Sequence, residues 1–68
     1  MQIHKATLFQ FVMVHTNFGF FKVDNLGGIH MWDETSQLWK ETDSLPASDI
    51  AILVEVALAK FNNAKFGH

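Results

Sequence analysis

The chain contains no cysteine, so covalent and metal cross-links through thiol groups cannot stabilise its fold. Without cysteine there can be neither a disulfide framework nor a thiolate zinc site. A domain of 68 residues lies near the lower size limit for independent folding, because it buries only about 60% of the surface that its unfolded chain exposes. Hydrophobic residues make up 49% of the chain, which is ample for a core. We therefore expect one small domain, residues 1–68, that gains stability by association.

Arginine is also absent, and the lysines are outnumbered by acidic residues, five to seven, giving a net charge of −2. No broad positive field is therefore available to attract nucleic acid or an anionic membrane. The guanidinium fork that most often contacts phosphate and guanine is missing as well. The composition therefore favours a protein as the binding partner and argues against nucleic acid.

Long apolar runs are lacking too. No run approaches the roughly 18 residues that a membrane span needs, and residues 8–14 are interrupted by Gln10. The apolar start of the chain is not followed by a small-residue cleavage site, so a secretory signal is not expected. We expect a soluble, cytoplasmic protein that makes no membrane contact.

Four segments have the composition of β-strands. Residues 3–15 are rich in β-branched and aromatic side chains and contain no glycine or proline, which predicts one long strand with two apolar faces. Residues 20–24, 29–32 and 38–41 predict shorter strands. Turn-forming residues separate the segments, at Asn17 and Gly19, at residues 25–28 and in the polar loop 33–37. Trp32 and Trp39 are expected to pair across this last loop.

Residues 46–66 predict one helix at the C-terminal end of the chain. Pro46 suits its first turn, and Thr42, Asp43 and Ser44 offer capping side chains just before it. At about 100° per residue, one broad apolar stripe should face the sheet. This stripe consists of Ile50, Leu53, Val54, Ala57, Leu58, Phe61 and Ala64.

A second apolar strip of the helix falls on roughly the opposite side, where a surface helix normally carries charge. It consists of Ile52, Val56 and Ala59. The pattern as a whole predicts an α+β fold, an antiparallel β-meander of three to four strands with one C-terminal α-helix packed on one face. The second strip and one face of the sheet would then stay open to a partner.

No arrangement of residues predicts catalysis. The chain has no cysteine nucleophile and no G-x-S-x-G elbow, and Ser44 and Ser48 suit helix capping. Gly27-Gly28 precedes neither a helix nor a lysine, so a phosphate loop is not expected. Metal-ligand spacing is missing among the four histidines, His4, His15, His30 and His68. We expect no enzyme activity, no metal site and no cofactor.

One short motif points to a different function. The sequence Asn17-Phe18-Gly19-Phe20-Phe21-Lys22-Val23 resembles the RNA-binding strand of RRM and cold-shock proteins. The resemblance implies a module that binds single-stranded nucleic acid by stacking bases on the aromatic side chains within residues 18–21, which are Phe18, Phe20 and Phe21. Thr16 and Asn17 stand where that pattern has a basic residue and a glycine, and the order of elements differs from both families. A hairpin whose phenylalanines fill a core is the favoured interpretation.

The favoured function is that of a small non-catalytic protein-binding module, of an inhibitor-like kind, that also associates with itself. Aliphatic and aromatic clusters with few charges form the centres of protein interfaces. The predicted contact residues are Ile52, Val56, Ala59, Phe18 and Phe20.

Overall fold

The computed structural model describes residues 1–42 and 44–66, the last two of them by backbone alone. Within these residues the chain forms one open antiparallel sheet of five strands followed by one helix. The elements are β1 (Ile3–Leu8), β2 (Val12–Thr16), β3 (Gly19–Val23), β4 (Ile29–Asp33), β5 (Leu38–Glu41) and α1 (Ala47–Phe66). Each strand pairs with the next in sequence, in the order β1-β2-β3-β4-β5. The predicted α+β class, the β-meander and the C-terminal helix are therefore confirmed.

The predicted number of strands, three to four, is wrong, because residues 3–15 form two strands instead of one. A turn at residues 9–11, in which the Phe9 N–H donates to the Phe11 carbonyl at 2.8 Å, folds β2 back on β1. Leu8 then pairs with Val12. About thirteen extended residues would span roughly 43 Å, which exceeds the 37 Å longest dimension of the molecule. Folding the segment in two keeps both apolar halves within reach of one core.

The turn between β2 and β3 depends on a threonine and a glycine. The Thr16 hydroxyl accepts a hydrogen bond from the Phe18 N–H and donates one to the Gly19 carbonyl, both at 3.0 Å. Gly19 has a φ of 131°, a conformation that L side chains rarely adopt. A Cβ at Gly19 would lie 3.3 Å from the Met31 Cε. The turn therefore aligns β2 and β3 while leaving room for a core side chain from β4.

Two aspartates organise the remaining loops of the sheet. Asp24 accepts hydrogen bonds from the Leu26 and Gly28 N–H groups at 2.9 and 2.8 Å, which closes the β3–β4 loop. Asp33 does the same in the β4–β5 loop, where it accepts from the Thr35 N–H and the Ser36 hydroxyl, both at 3.0 Å. Aspartate is common in turns because its carboxylate can accept hydrogen bonds from the N–H and hydroxyl groups of the next few residues, as it does in both loops.

The core lies between the helix and one face of the sheet, which we call the inner face. Its buried members are Val12, Val14, Phe21, Val23, Leu53 and Ala57. The four sheet residues alternate along β2 and β3 and meet as the pairs Val12–Val23 and Val14–Phe21. Because side chains alternate between the two faces along a strand, these four apolar side chains all lie on the inner face.

The orientation of α1 differs from the predicted one. Leu58, expected on the buried stripe, is 54% exposed, and Ala64 is exposed as well. Val56, expected on the opposite strip, packs against the core. The fully buried Leu53 defines the face that meets the sheet, and Val56 lies three positions further on the same side of the helix.

The start of the helix also differs slightly from the prediction. Pro46 precedes α1, and its carbonyl accepts from the N–H groups of Asp49 and Ile50 at 3.0 and 3.1 Å. Pro46 is therefore a flanking residue and not part of the first turn. The Thr42 hydroxyl donates to the Ile29 carbonyl at 3.2 Å and so joins β5 to β4 instead of capping α1. Asp43, which was predicted to cap the helix, lies outside the described residues. His68, one of the four histidines for which no metal site was expected, lies outside them as well.

Candidate interaction surfaces

The helix covers only part of the inner face. It packs on β1, β2 and β3, and among the described residues its backbone does not approach β4 or β5 closely. The inner side of β4 and β5 carries Met31, Leu38, Asp33 and Lys40, which are paired across the two strands. Leu38 is 60% exposed. We call these four residues the uncovered inner patch.

One flank of α1 presents an apolar row to solvent. Its residues are separated by three, four and three positions, the spacing of a helix-pairing seam; they are Ala51, Val54, Leu58 and Phe61. Ala51 and Leu58 are exposed, whereas Val54 and Phe61 are half-buried. We call this row the helix seam.

The start of α1 lies beside the ends of β4 and β5. Ile50, which is one turn before Val54, lines a 350 Å³ depression together with residues of β4, β5 and the β3–β4 loop. This depression shows that the Ile50 flank of α1 is turned towards β4 and β5. The helix seam begins next to Ile50, and the uncovered inner patch, with the apolar Met31 and Leu38 beside the Asp33–Lys40 ion pair, lies further along the same two strands.

The predicted contact residues are divided between two regions. Ile52 is half-buried, Val56 is half-buried and packs on the core, and Ala59 is exposed on the flank of α1 away from the helix seam. Phe18 and Phe20 are 50% and 43% exposed and line a separate 310 Å³ depression. The structure brings together the two phenylalanines, but it does not join them to the helix residues.

The opposite side of the sheet, which we call the outer face, is open to solvent. Because paired residues share a face and side chains alternate along a strand, the register identifies its members. They are Lys5, Thr7, Met13, His15, Phe20, Lys22, His30, Trp32, Trp39 and Glu41. All of them remain at least partly exposed. The outer face is thus aromatic and polar, unlike the buried, apolar part of the inner face.

Aromatic contacts and one lysine connect the side chains of the outer face. The Trp32 and Trp39 rings meet edge to face with centroids 5.2 Å apart, and His15 lies 4.3 Å from Phe20. The Lys22 Nζ lies 5.1 Å from the Trp39 ring centroid and 5.2 Å from that of Phe11. Both distances are within the range of a cation–π interaction. A cation is therefore held among aromatic rings near the centre of the sheet.

The carboxylates of the described residues lie mainly away from the centre of the outer face. The pKa of Asp24 is lowered by the N–H groups of Gly28 and then Leu26. The pKa of Asp33 is lowered to about 2 by its 2.8 Å contact with Lys40 and by the Ser36 and Thr35 donors. Asp49, which is buried, lies 3.4 Å from the Met1 amine.

Two further carboxylates lie at the rim of the outer face. Glu34 accepts from the Trp32 Nε1–H at 2.6 Å, and Glu41 pairs with His30. The register of β1, β2 and β3 pairs no carboxylate with Lys5 or Lys22. Asp24, which directly follows β3, is nevertheless close enough to Lys22 and His30 for their charges to contribute to its lowered pKa.

Neither a metal centre nor a membrane span is found in the part of the chain that the structure describes. No three histidine, aspartate or glutamate side chains there converge on a common point. In the same residues, no helix has the length and apolar character needed to cross a membrane. The two remaining surfaces, the helix seam with the uncovered inner patch and the outer face, are the candidates for function.

The outer face was missed by sequence reasoning, although a signal for it was present. Alternate residues of β2, β3 and β4 give the sequences Met13-x-His15, Phe20-x-Lys22 and His30-x-Trp32. Each pairs an apolar or aromatic residue with a basic or imidazole side chain. The register between strands was needed to show that these pairs meet.

No protein-family model, curated protein or solved structure matches this chain. Its function is therefore argued from its own surfaces.

Proposed function

We propose that the protein is a small non-catalytic protein-binding module that associates with a second copy of itself through the helix seam and the uncovered inner patch. The observation that carries this proposal is that α1 packs on three strands of a five-stranded sheet. The part of the inner face that is left beside the helix, with the apolar Met31 and Leu38 and the Asp33–Lys40 ion pair, has the shape of a site for another helix.

The dimensions support a second helix in this position. Adjacent strands lie about 4.8 Å apart, so the five strands span roughly 19 Å between the outer strand axes. A helix with its side chains is only about 10 Å wide. One helix therefore covers about half of the inner face. A second helix beside it would cover the rest of the inner face.

The side chains of the helix seam are self-complementary in an antiparallel pair. A two-fold arrangement that puts Val54 opposite Leu58 of the second copy also puts Ala51 opposite Phe61. Each small side chain then meets a large one, which lets facing layers interdigitate. Antiparallel packing also places opposite ends of the two helix dipoles together. A parallel pair would instead place Phe61 against Phe61 and leave space at Ala51.

A homodimer of this kind leaves other surfaces for a different protein. Ile52, Val56 and Ala59 lie away from the helix seam, and Phe18 and Phe20 lie at the β2–β3 turn. We assign an inhibitor-like contact with a larger protein to these residues. The net charge of −2 would steer the module towards a basic site on that partner.

The experiment that tests self-association is the solution mass, measured by light scattering after size exclusion over a wide concentration range. We expect a dimer that Leu58→Glu converts to a monomer, because the substitution buries a charge in the contact. The matched control is Leu26→Glu, since Leu26 is 90% exposed in a loop. Circular dichroism checks that both variants stay folded.

The outcomes separate the possible contact surfaces. A wild-type monomer at every concentration would overturn self-association. A dimer that survives Leu58→Glu but is lost on Ala59→Glu would move the contact to the opposite flank of α1. A dimer that survives both substitutions would exclude the helix as the interface.

A further inference from the structure

We infer that the outer face binds single-stranded nucleic acid, with unpaired bases stacked on its aromatic rings and the phosphates near its lysines. This goes beyond the proposed function, because it concerns the opposite layer of the molecule and a different class of partner. The inference rests on the combination of open aromatic rings, a central cation among them and a second lysine on β1.

The rings are available for stacking. Phe20 is 43% exposed, and Phe11, Trp32 and Trp39 are each partly exposed on the same side of the sheet. Unpaired bases stack on such rings with little dependence on sequence, because every base has a π-face. An open sheet with several exposed rings typically accommodates two or three bases.

The two lysines of the outer face lie on β1 and β3, where they can meet a phosphate backbone in spite of the net charge of the chain. Lys5 pairs with His15 across β1 and β2, and Lys22 pairs with Met13 across β2 and β3. Asp33 is on the inner face and in contact with Lys40. Glu34 and Glu41 remain on this side of the sheet, towards β4 and β5, and Asp24 lies near Lys22. The part of the face on β1 and β2 carries Lys5 and His15 without a paired carboxylate.

The position of Lys22 favours nucleic acid over protein as the occupant. Its Nζ lies between the Phe11 and Trp39 rings at 5.2 and 5.1 Å from their centroids. Lysine is depleted from the centres of protein interfaces, whereas alternating cations and aromatic rings are typical of surfaces that bind single strands. The lysine is held where it can meet a phosphate between two stacked bases.

The rim of the face limits where the strand can run. Glu34 and Glu41 lie on the β4–β5 side, where they would repel phosphates. The phosphates are therefore assigned to the side of β1, β2 and β3, near Lys5, His15 and Lys22. Bases would extend from there towards the tryptophans.

The face has little chemistry with which to recognise a ribose. Thr7 is the one hydroxyl-bearing side chain that the register of the described strands places on it, and no side-chain amide occurs among those positions. Recognition of RNA over DNA requires contacts to the 2′-hydroxyl. We therefore expect no preference for one sugar.

The motif that resembled an RNA-binding strand contributes only in part. Phe20 is on the outer face, but the adjacent Phe21 is fully buried in the core. The inferred site instead uses rings from four segments of the chain, at Phe11, Phe20, Trp32 and Trp39.

The test is a titration of the full chain with fluorescein-labelled oligodeoxythymidine and oligouridine of twelve nucleotides, followed by anisotropy and tryptophan quenching. We expect both to bind similarly, and a matched duplex to bind more weakly. The logarithm of the affinity should fall with the logarithm of the salt concentration with a slope of about −1.4 for two phosphate contacts. Flat titrations, or equal binding of the duplex, would overturn the inference.

Substitutions locate the site. Phe20→Ala should weaken binding by about 5- to 150-fold, and Lys22→Gln should make the salt slope shallower by about 0.7. The matched controls are Phe9→Ala, in the exposed β1–β2 turn, and Lys60→Gln, on the exposed part of α1. Binding that is unchanged by Phe20→Ala and Lys22→Gln would overturn the assignment to the outer face.

One further variant separates this inference from the proposed dimer. Leu58→Glu should abolish self-association but leave binding of a short oligonucleotide to each chain unchanged. If the titrations are flat and Phe20→Ala lowers the solution mass instead, the outer face is a protein contact and the inference fails.

Discussion

The inner and outer faces of the sheet are built from alternate residues of the same strands, yet their chemistry differs. On β3, Phe21 and Val23 point inwards and are buried, whereas Phe20 and Lys22 point outwards and are at least partly exposed. On β2 and β3 the inner face is aliphatic and aromatic and is covered by Leu53 of the helix. Substitutions of residues that are neighbours in sequence can therefore alter the core and the exposed face of the sheet separately.

The largest expected contrast is between two adjacent phenylalanines. Phe21→Ala should lower the free energy of unfolding by about 3–5 kcal/mol, because it leaves a cavity in the core. Phe20→Ala should cost about 1 kcal/mol, since its ring is partly exposed and contacts His15. Urea unfolding at one fixed protein concentration measures both, because association would otherwise add to the stability. If the two substitutions lowered the free energy of unfolding equally, the inner and outer faces would contribute to stability to the same extent, contrary to this prediction.

A second contrast concerns two glycines with positive φ. Gly19→Ala should destabilise the fold by about 1–3 kcal/mol, because φ is 131° and the new Cβ would lie 3.3 Å from the Met31 Cε. Gly27 also has a positive φ, 87°, but a Cβ there meets nothing within 4 Å. Gly27→Ala should therefore cost less. Thermal unfolding of the two variants makes the comparison, and a larger effect at Gly27 would contradict the close packing at the inner face.

The tryptophan pair of the outer face should make a smaller contribution. Trp39→Leu removes the edge-to-face contact with Trp32 and should cost about 0.5–1.5 kcal/mol beyond the loss of buried area. It should also remove the near-ultraviolet circular dichroism signal of the coupled rings. Trp39→Phe, which keeps a ring, is the control and should retain most of the stability. If Trp39→Leu and Trp39→Phe have the same free energy of unfolding, the contact between the two rings does not contribute to stability.

The smallest expected effect is on the titration of Asp33 at the edge of the inner face. Lys40→Gln should raise the pKa of Asp33 from about 2 towards its ordinary value of 3.8, because the Lys40 contact is the largest cause of the shift. A carboxyl group whose pKa is lower in the folded state stabilises the fold above pH 3.8 and loses this contribution as the pH falls towards 2. Carboxyl carbon NMR titration measures the pKa. Lys60→Gln is the control and should leave it unchanged.

Much of the fold could be predicted because it follows from local patterns. The polar loops at residues 25–28 and 33–37 and the apolar period of the helix were sufficient to predict a meander followed by a helix. The pairing of Trp32 with Trp39 was also predicted and is confirmed. These features depend on residues close together in sequence, for which turn chemistry and periodicity are informative.

The turn at residues 9–11 could not be predicted from composition. Phe9, Gln10 and Phe11 include no glycine, proline, asparagine or aspartate, so nothing local marks a reversal of the chain. The limited size of the core requires it. The rotation of α1 was missed for a similar reason, since Leu58 and Val56 are both apolar and only packing decides which one meets the sheet.

The candidate surfaces were predicted in part. The sequence correctly indicated an excess of apolar residues on the helix and exposed aromatic residues at Phe18 and Phe20. It did not show that Lys22 meets Phe11 and Trp39, because those residues come from separate segments. The cluster depends on the register of β2 to β5, which sequence patterns leave open.

The uninterrupted order of the strands also has a consequence for how the chain folds. Every strand pairs with its neighbour in sequence, so each hairpin closes a short loop and contact order is low, which favours rapid folding. During synthesis, however, the whole sheet leaves the ribosome before α1. Val12, Val14 and Phe21 have no cover until α1 packs on them, so a sheet that formed before the helix would expose the apolar surface that favours aggregation.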